Sequence, residues 1–226
     1  MRLAAGVNAG RNERRSGRSA RAWPIAGERR GGDYGSAVEV PGLGKGRGWR
    51  ARVLRVAGPV MPGPGAGVAS LSWIGEERIA VGGVPRAGAV MGLAGRGVTH
   101  VVNCRSREEA HIGGDLAAER TAFGAARVAH APMRDLGWRQ RPRLWAQAAL
   151  FAARVLDDQP GARVLIHCTA GRRRSPMIAY AVLRLRGRTT SEAASLVLRY
   201  RPGAELVPAY IRSVEQWLAR ELTTPP

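Results

Sequence analysis

An α/β fold with a central, mostly parallel sheet flanked by helices is what the sequence predicts, and three observations carry that expectation. Short runs rich in β-branched residues, over 98–103 and 164–167, alternate with segments of helical period. Beyond residue 174 the apolar positions recur at helical spacing to the end of the domain. Between the two, Val164, Leu165 and Ile166 form an unbroken apolar run that reads as a buried strand, and it passes through a tight loop straight into a helical pattern.

Residues 1–66 are rich in Gly, Arg, Pro and Ala, show neither period, and are expected to be a disordered extension. Three roles compete for it: an Arg/Gly-rich nucleic-acid tether, a mitochondrial transit peptide, or a passive or untranslated upstream stretch. Only Trp23, Tyr34 and Trp49 are available to stack on bases, and the many glycines, with Glu13 and Glu28, work against an amphipathic, acid-poor transit helix. The third role is favoured, with Met61 as a start ahead of a single domain over residues 67–222.

Within the domain, residues 71–74 and 78–81 read as a hairpin around Gly75, Glu76 and Glu77. Val90, Met91 and Leu93 suit a short helix ending at Gly95–Gly97, before the strand at 98–103. Residues 105–111 make a helical turn that Gly113 and Gly114 break. A strand follows at 128–131, ended by Pro132, then a loop through Met133, Arg134, Asp135, Leu136, Gly137 and Trp138. A helix over 141–156 places Leu144, Ala148, Phe151, Ala152 and Val155 at spacings of three and four, and Gln159–Gly161 return the chain to the strand at 164–167. After the helix that carries Met177, Ile178, Ala181, Val182 and Leu185 and stops at Gly187, Thr189 and Glu192 form a capping box. That helix runs through Arg199, and the last one presents Val207, Tyr210, Ile211, Val214, Trp217 and Leu218.

The loop between the strand and the helix, Cys168-Thr169-Ala170-Gly171-Arg172-Arg173, is where chemistry concentrates. Unpaired N–H groups and the positive end of a helix dipole converge at such a point and form a site for a dianion such as phosphate. The same field favours a thiolate, so Cys168 is expected to have a lowered pKa and to act as a nucleophile at neutral pH. Arg174 can fold back so that its planar fork holds two phosphate oxygens, and Ser175 can hydrogen-bond the sulfur when it leaves.

The stretch His167 to Ser175, His-Cys-Thr-Ala-Gly-Arg-Arg-Arg-Ser, resembles the signature loop of the cysteine-dependent protein tyrosine phosphatases, most closely the dual-specificity branch. The preceding His, central Gly171 and following Ser175 all fit. The run Gly-Val-Thr-His-Val-Val-Asn at 97–103 also resembles that branch's entrance strand, and the likeness spans residues 67–222. It implies a phosphatase-like fold and phosphate monoester hydrolysis through a phosphocysteine intermediate. Cys168 would be the nucleophile, and Arg174 with the N–H groups of Thr169, Ala170, Gly171, Arg172 and Arg173 would bind the phosphate.

Cleavage also needs a proton for the departing oxygen. Asp135, one strand and one helix before Cys168, lies in the order in which the resembled family places its general acid; the competing role is to cap the next helix. Asp115, in a glycine-rich loop, and Asp157 and Asp158, at a helix end, are weaker candidates. His167 is expected to orient the loop by hydrogen bonding and not to strip the thiol. His100, His111 and His130 show no metal-ligand spacing, and neither metal nor cofactor is implied. Cys104 follows a strand expected beside that of Cys168; it reads as a buried small residue, with a reversible disulfide to Cys168 the alternative.

The formal net charge of +19 and pI near 11.7 would suit polyanionic partners, but the basic residues are almost all Arg, with Lys45 the one lysine, a bias that coding alone can produce. Nucleic acid is therefore not the expected partner. Two cysteines make no disulfide framework and suit reduced thiols in the cytoplasm, and no apolar run reaches the length of a membrane span. Expected substrates are phosphotyrosine, phosphoserine and phosphothreonine proteins. Arg172 and Arg173 leave open phosphoinositides or other polyphosphorylated molecules, and a module that only docks phosphorylated partners is a third class. Composition says nothing of oligomeric state.

Overall fold

The computed structural model describes residues 70–223; the extension over residues 1–66 lies outside the described residues. The chain opens with the hairpin of β1 (Leu71–Trp73) and β2 (Ile79–Gly82), paired antiparallel. Its turn needs left-handed backbone at Gly75 and at Arg78, where φ is 61°. A non-glycine is held there because its guanidinium donates to the carbonyls of Gln159 at 2.8 Å and Pro160 at 2.9 Å.

Next come α1 (Gly92–Gly95), β3 (His100–Asn103), α2 (Arg107–Gly113), α3 (Asp115–Phe123) and β4 (Val128–His130). A 3-10 turn at Pro142–Leu144 leads into α4 (Ala146–Asp158), then β5 (Val164–His167), α5 (Arg174–Leu185), α6 (Thr190–Tyr200) and α7 (Pro208–Thr223). The sheet order is β1-β2-β5-β3-β4, and every pairing except β1 with β2 is parallel. β5 sits in the middle, hydrogen-bonded on both sides and buried along its length.

Alternation along the strands divides the core. Ile79, Val81, Val102, Val164 and Ile166 join the larger cluster with α4, α5 and residues of α6 and α7; Ala80, Val101 and Leu165 join a smaller one with Leu93, Val98 and Val128. The unbroken apolar run of β5 is thus a strand with a core on each face.

Three elements depart from the sequence expectation. Met91 does not face the core but is 72% exposed, because the first helix is only the turn from Gly92 to Gly95, which buries Leu93, while Val90 is buried from the segment before it. The long helix starts at Ala146, with Leu144 in the preceding 3-10 turn. Asp115 is not in a glycine loop: it is the first residue of α3, a helix with no expected counterpart. Gly114, at φ 65°, ends α2 and starts α3, and the residues α3 buries are Asp115 and Glu119.

Candidate active site

β5 ends at His167, and the loop 168–173 carries the chain from the C-terminal edge of the parallel strands to the first turn of α5. Gly171 makes the loop possible. Its φ is 70°, and a Cβ there would lie 2.5 Å from both the Gly82 carbonyl carbon and the Arg201 guanidinium. The bend aims the Gly171 N–H at Cys168 Sγ, 3.2 Å away, while the Ser175 hydroxyl reaches the same sulfur at 3.4 Å. Burial would push the Cys168 thiol up, but the Ser175 hydroxyl and N–H, the Arg174 charge and the Gly171 N–H outweigh it, and the thiol lies below its ordinary value.

Arg174 is almost wholly buried. Its fork engages both Glu109 oxygens, one of them at 3.0 Å, and donates to the Met133 carbonyl at 3.0 Å and to Thr169 Oγ1 at 3.1 Å. Thr169 in turn donates to Glu109 at 2.7 Å. Glu109 is placed by its own helix: Ser106 caps α2, and the Glu109 side chain reaches back 2.8 Å to the Ser106 N–H, a reciprocal capping box. Hydrogen bonding from Arg174 is the main reason the Glu109 carboxyl falls to about 2. The Arg174 Nε lacks a hydrogen-bond partner in the interior and lies 3.8 Å from Asp135 Oδ2.

Asp135 is where the chain order suggested, in the loop after β4, beside Arg174. It caps no helix: the turn at Pro142 is preceded by Arg141 and α4 by Trp145, neither with a side-chain cap bond. Its Oδ1 instead accepts the Tyr210 hydroxyl at 3.1 Å, and the same phenol oxygen accepts the Gly137 N–H at 3.1 Å. One helical turn on, Ser213 Oγ accepts the Gln140 N–H at 3.0 Å, and Gln216 accepts from Arg139 a turn further. A single face of α7 therefore pins the loop that presents Asp135.

His167 is fully buried, as is the acid pair of α3. Its Nε2 lies 2.6 Å from Glu119 Oε1, off the line of a well-aligned hydrogen bond, and Nδ1 has no partner. Burial pushes the imidazole down, but Glu119, Asp115 and the Cys168 sulfur more than offset this, so its pKa is raised above the ordinary value one residue from the nucleophile candidate. Asn103 bridges the acids, donating to Asp115 at 2.7 Å and Glu119 at 3.1 Å, and Arg105 pairs with Asp115. Ligand atoms of Asp115, Glu119 and His167 come within 4.8 Å of one another, the one such group among the described residues. Those carboxylates already accept N–H donors from Asn103 and Arg105, so the cluster is balanced by nitrogen donors and is a poor cation site.

Arg172 and Arg173 do not stand free in solvent: both reach Glu205, at 2.5 Å and 2.7 Å, and the Glu205 N–H donates to the Arg172 carbonyl at 2.7 Å. Arg201 buttresses the loop from behind, donating to the Gly171 carbonyl at 3.1 Å and the Ser70 carbonyl at 3.0 Å. Cys104 and Cys168 are both free and buried, and burial raises the Cys104 thiol.

Sequence reasoning brought Cys168, Thr169, Gly171, Arg174, Ser175 and Asp135 to one place, and it missed Glu109, Glu119, Glu205 and Arg201, while Tyr210 read only as core. The Ser106-x-x-Glu109 spacing was a legible signal for the first of these; the rest meet the site only through tertiary contact.

No protein-family model matches the sequence, and no curated protein matches it. Solved structures do. Tk-PTP in its active form is 24% identical over 67% of this chain and 97% of its own, with a TM-score of 0.56. Human DUSP28 is 22% identical over 70% and 100%, with a TM-score of 0.54. PTPMT1 in complex with PI(5)P is 16% identical over 65% and 94%, with a TM-score of 0.56.

Proposed function

We propose that this chain, which has the fold of the cysteine-dependent protein tyrosine phosphatases, hydrolyses phosphate monoesters through a phosphocysteine intermediate. One observation carries the reading: a thiol with a lowered pKa, held between the Gly171 N–H and the Ser175 hydroxyl, with Arg174 and Asp135 converging beside it. The thiolate attacks phosphorus, forming S–P as the P–O bond to the leaving group breaks, and Asp135 delivers its proton to the departing oxygen. Arg174 and the loop N–H groups of Thr169 to Arg174 hold the equatorial oxygens, which requires the fork to turn part of its hydrogen bonding from Glu109 to phosphate. Asp135, now a carboxylate, takes a proton from water as the water attacks phosphorus; S–P breaks, phosphate leaves, and the Ser175 hydroxyl receives the thiolate. His167 stays out of proton transfer. Its pairing with Glu119 favours the imidazolium form, and a positive charge there favours the anionic sulfur.

Phosphotyrosine, phosphoserine and phosphothreonine proteins are the substrates this reading puts first. Phosphoinositides are the second, supported by Arg172 and Arg173 at the cleft rim and by the likeness to PTPMT1, solved with PI(5)P. A purely docking module is disfavoured, since the chain keeps Cys168, Arg174 and Asp135 together, and loss of one of them would mark such a module. Two free thiols suit a reducing compartment such as the cytoplasm. The test is Cys168→Ser: aryl phosphate turnover should vanish while tungstate still binds, because Arg174 and the loop donors remain. Retained turnover would remove Cys168 as nucleophile. A panel of phosphopeptides and phosphoinositides then ranks the two substrate classes.

A further inference from the structure

The loop that presents Asp135 also presents the two most conspicuous apolar residues near the site. Leu136 is 56% and Trp138 73% exposed, on either side of Gly137, whose φ of 73° makes the turn. This exposure is built in. Tyr210 holds the Gly137 N–H, Ser213 the Gln140 N–H, and the Gln140 side chain closes the loop on itself through the Arg134 carbonyl at 3.1 Å and the Trp138 carbonyl at 3.3 Å. A tip braced in this way holds its indole in water in the free protein.

Around the tip the charge is mostly positive. Residues 134–143 contain four arginines, Arg134, Arg139, Arg141 and Arg143, against one acid, Asp135, and all four arginines are exposed. Arg134 pairs with Glu108 on α2, and Arg139 is held by the neutral Gln216.

We propose that this loop docks on an anionic lipid bilayer, with Trp138 and Leu136 entering the headgroup region and the arginines meeting the negative surface. A protein partner needs on the order of 800 Å² of contact per side around a core depleted of charge. Two apolar side chains beside four arginines make no such apolar core, and they match shallow interfacial insertion, where an aromatic ring sits at headgroup level and arginines gain from anionic lipid. No described helix is long and apolar enough to span a bilayer. Because the same loop carries Asp135, docking would turn the cleft toward the surface. The proposal concerns the surface and holds whichever phosphate ester the site cleaves.

The experiment is sedimentation of the full chain with vesicles of phosphatidylcholine alone or with 30 mol% (about a third) phosphatidylserine, neither containing a phosphoinositide. Binding should require phosphatidylserine and weaken as salt rises. Trp138→Ser should weaken it roughly tenfold, and Arg141→Gln with Arg143→Gln roughly twentyfold. Hydrolysis of a soluble aryl phosphate should be unchanged in all of them, which reports the fold and the chemistry separately. No binding by the wild-type chain, or wild-type binding in both variants, would overturn the proposal; so would variants that lose only phosphopeptide hydrolysis, which would assign the patch to protein substrates.

Discussion

In the proposed mechanism Asp135 and Tyr210 form a pair in which one residue would react and the other would aim it, through the hydroxyl that meets the carboxyl. A general acid matters in proportion to how badly the leaving group needs its proton, so Asp135→Asn should slow hydrolysis of a phenyl or alkyl phosphate by roughly 10² to 10⁴ and an activated ester far less. Equal slowing of both esters would send the search for the acid elsewhere. Tyr210→Phe keeps the buried ring and removes only the hydroxyl that orients the Asp135 carboxyl and receives the Gly137 N–H. Losing a hydrogen bond to a carboxylate costs about 1.5 kcal/mol. The variant should therefore lose roughly tenfold in kcat on the phenyl ester with KM little changed, and almost nothing on the activated one. A loss confined to thermal stability would reduce Tyr210 to packing.

At the scale of elements, α3 is the part of the fold whose reason is electrostatic. Asp115 and Glu119 are one helical turn apart and point inward, where Asn103 hydrogen-bonds both, Arg105 pairs with Asp115 and His167 with Glu119. Breaking such a buried pair by removing one charge costs about 3 kcal/mol or more. The raised pKa of His167 sets the sign of the pH dependence. Stabilisation from a raised imidazole is complete below its unfolded pKa of ~6.5 and is lost as pH rises through the higher folded value. Glu119→Gln should therefore cost most at pH near ~6 and progressively less toward pH ~9, read by urea unfolding at both. The same cost at both values would mean that His167 is neutral in the folded protein.

Across the whole molecule, the signature loop is held from three directions: by β5 beneath it, by α2 through Glu109, and by Arg201, which follows α6 and ties the Gly171 carbonyl to the start of β1 through Ser70. Arg201 ties the start of the described chain to the loop and to the segment that follows α6. Replacing it with Met keeps the stem but leaves the Gly171 carbonyl without its donor, and should destabilise by about 2 kcal/mol. Cys168 should also alkylate more slowly at neutral pH if the loop loses its bend and the Gly171 N–H no longer meets the sulfur. Unchanged alkylation with lowered stability would separate the buttress from the nucleophile.

Most of the fold was legible in the chain because it is written in local period. The β5 run, the helical spacing after it and the Thr189–Glu192 capping box each depend on residues within one or two turns of one another. Cys168, Arg174 and Ser175 were legible for the same reason, since one loop and the first turn of the helix after it carry all three. What only tertiary structure decided is whatever depends on distant partners. α3 turns only Leu116 and Phe123, half-buried, toward the smaller core, while its fully buried positions carry charge, and buried charge is readable only once Asn103, Arg105 and His167 surround it. Arg172 and Arg173 read as open charge until Glu205 came within reach of both. Tyr210 read as a core position on a helical stripe, and its ring is indeed buried; that its hydroxyl falls on the Asp135 carboxyl follows from how α7 packs, which the spacing of α7 alone does not contain.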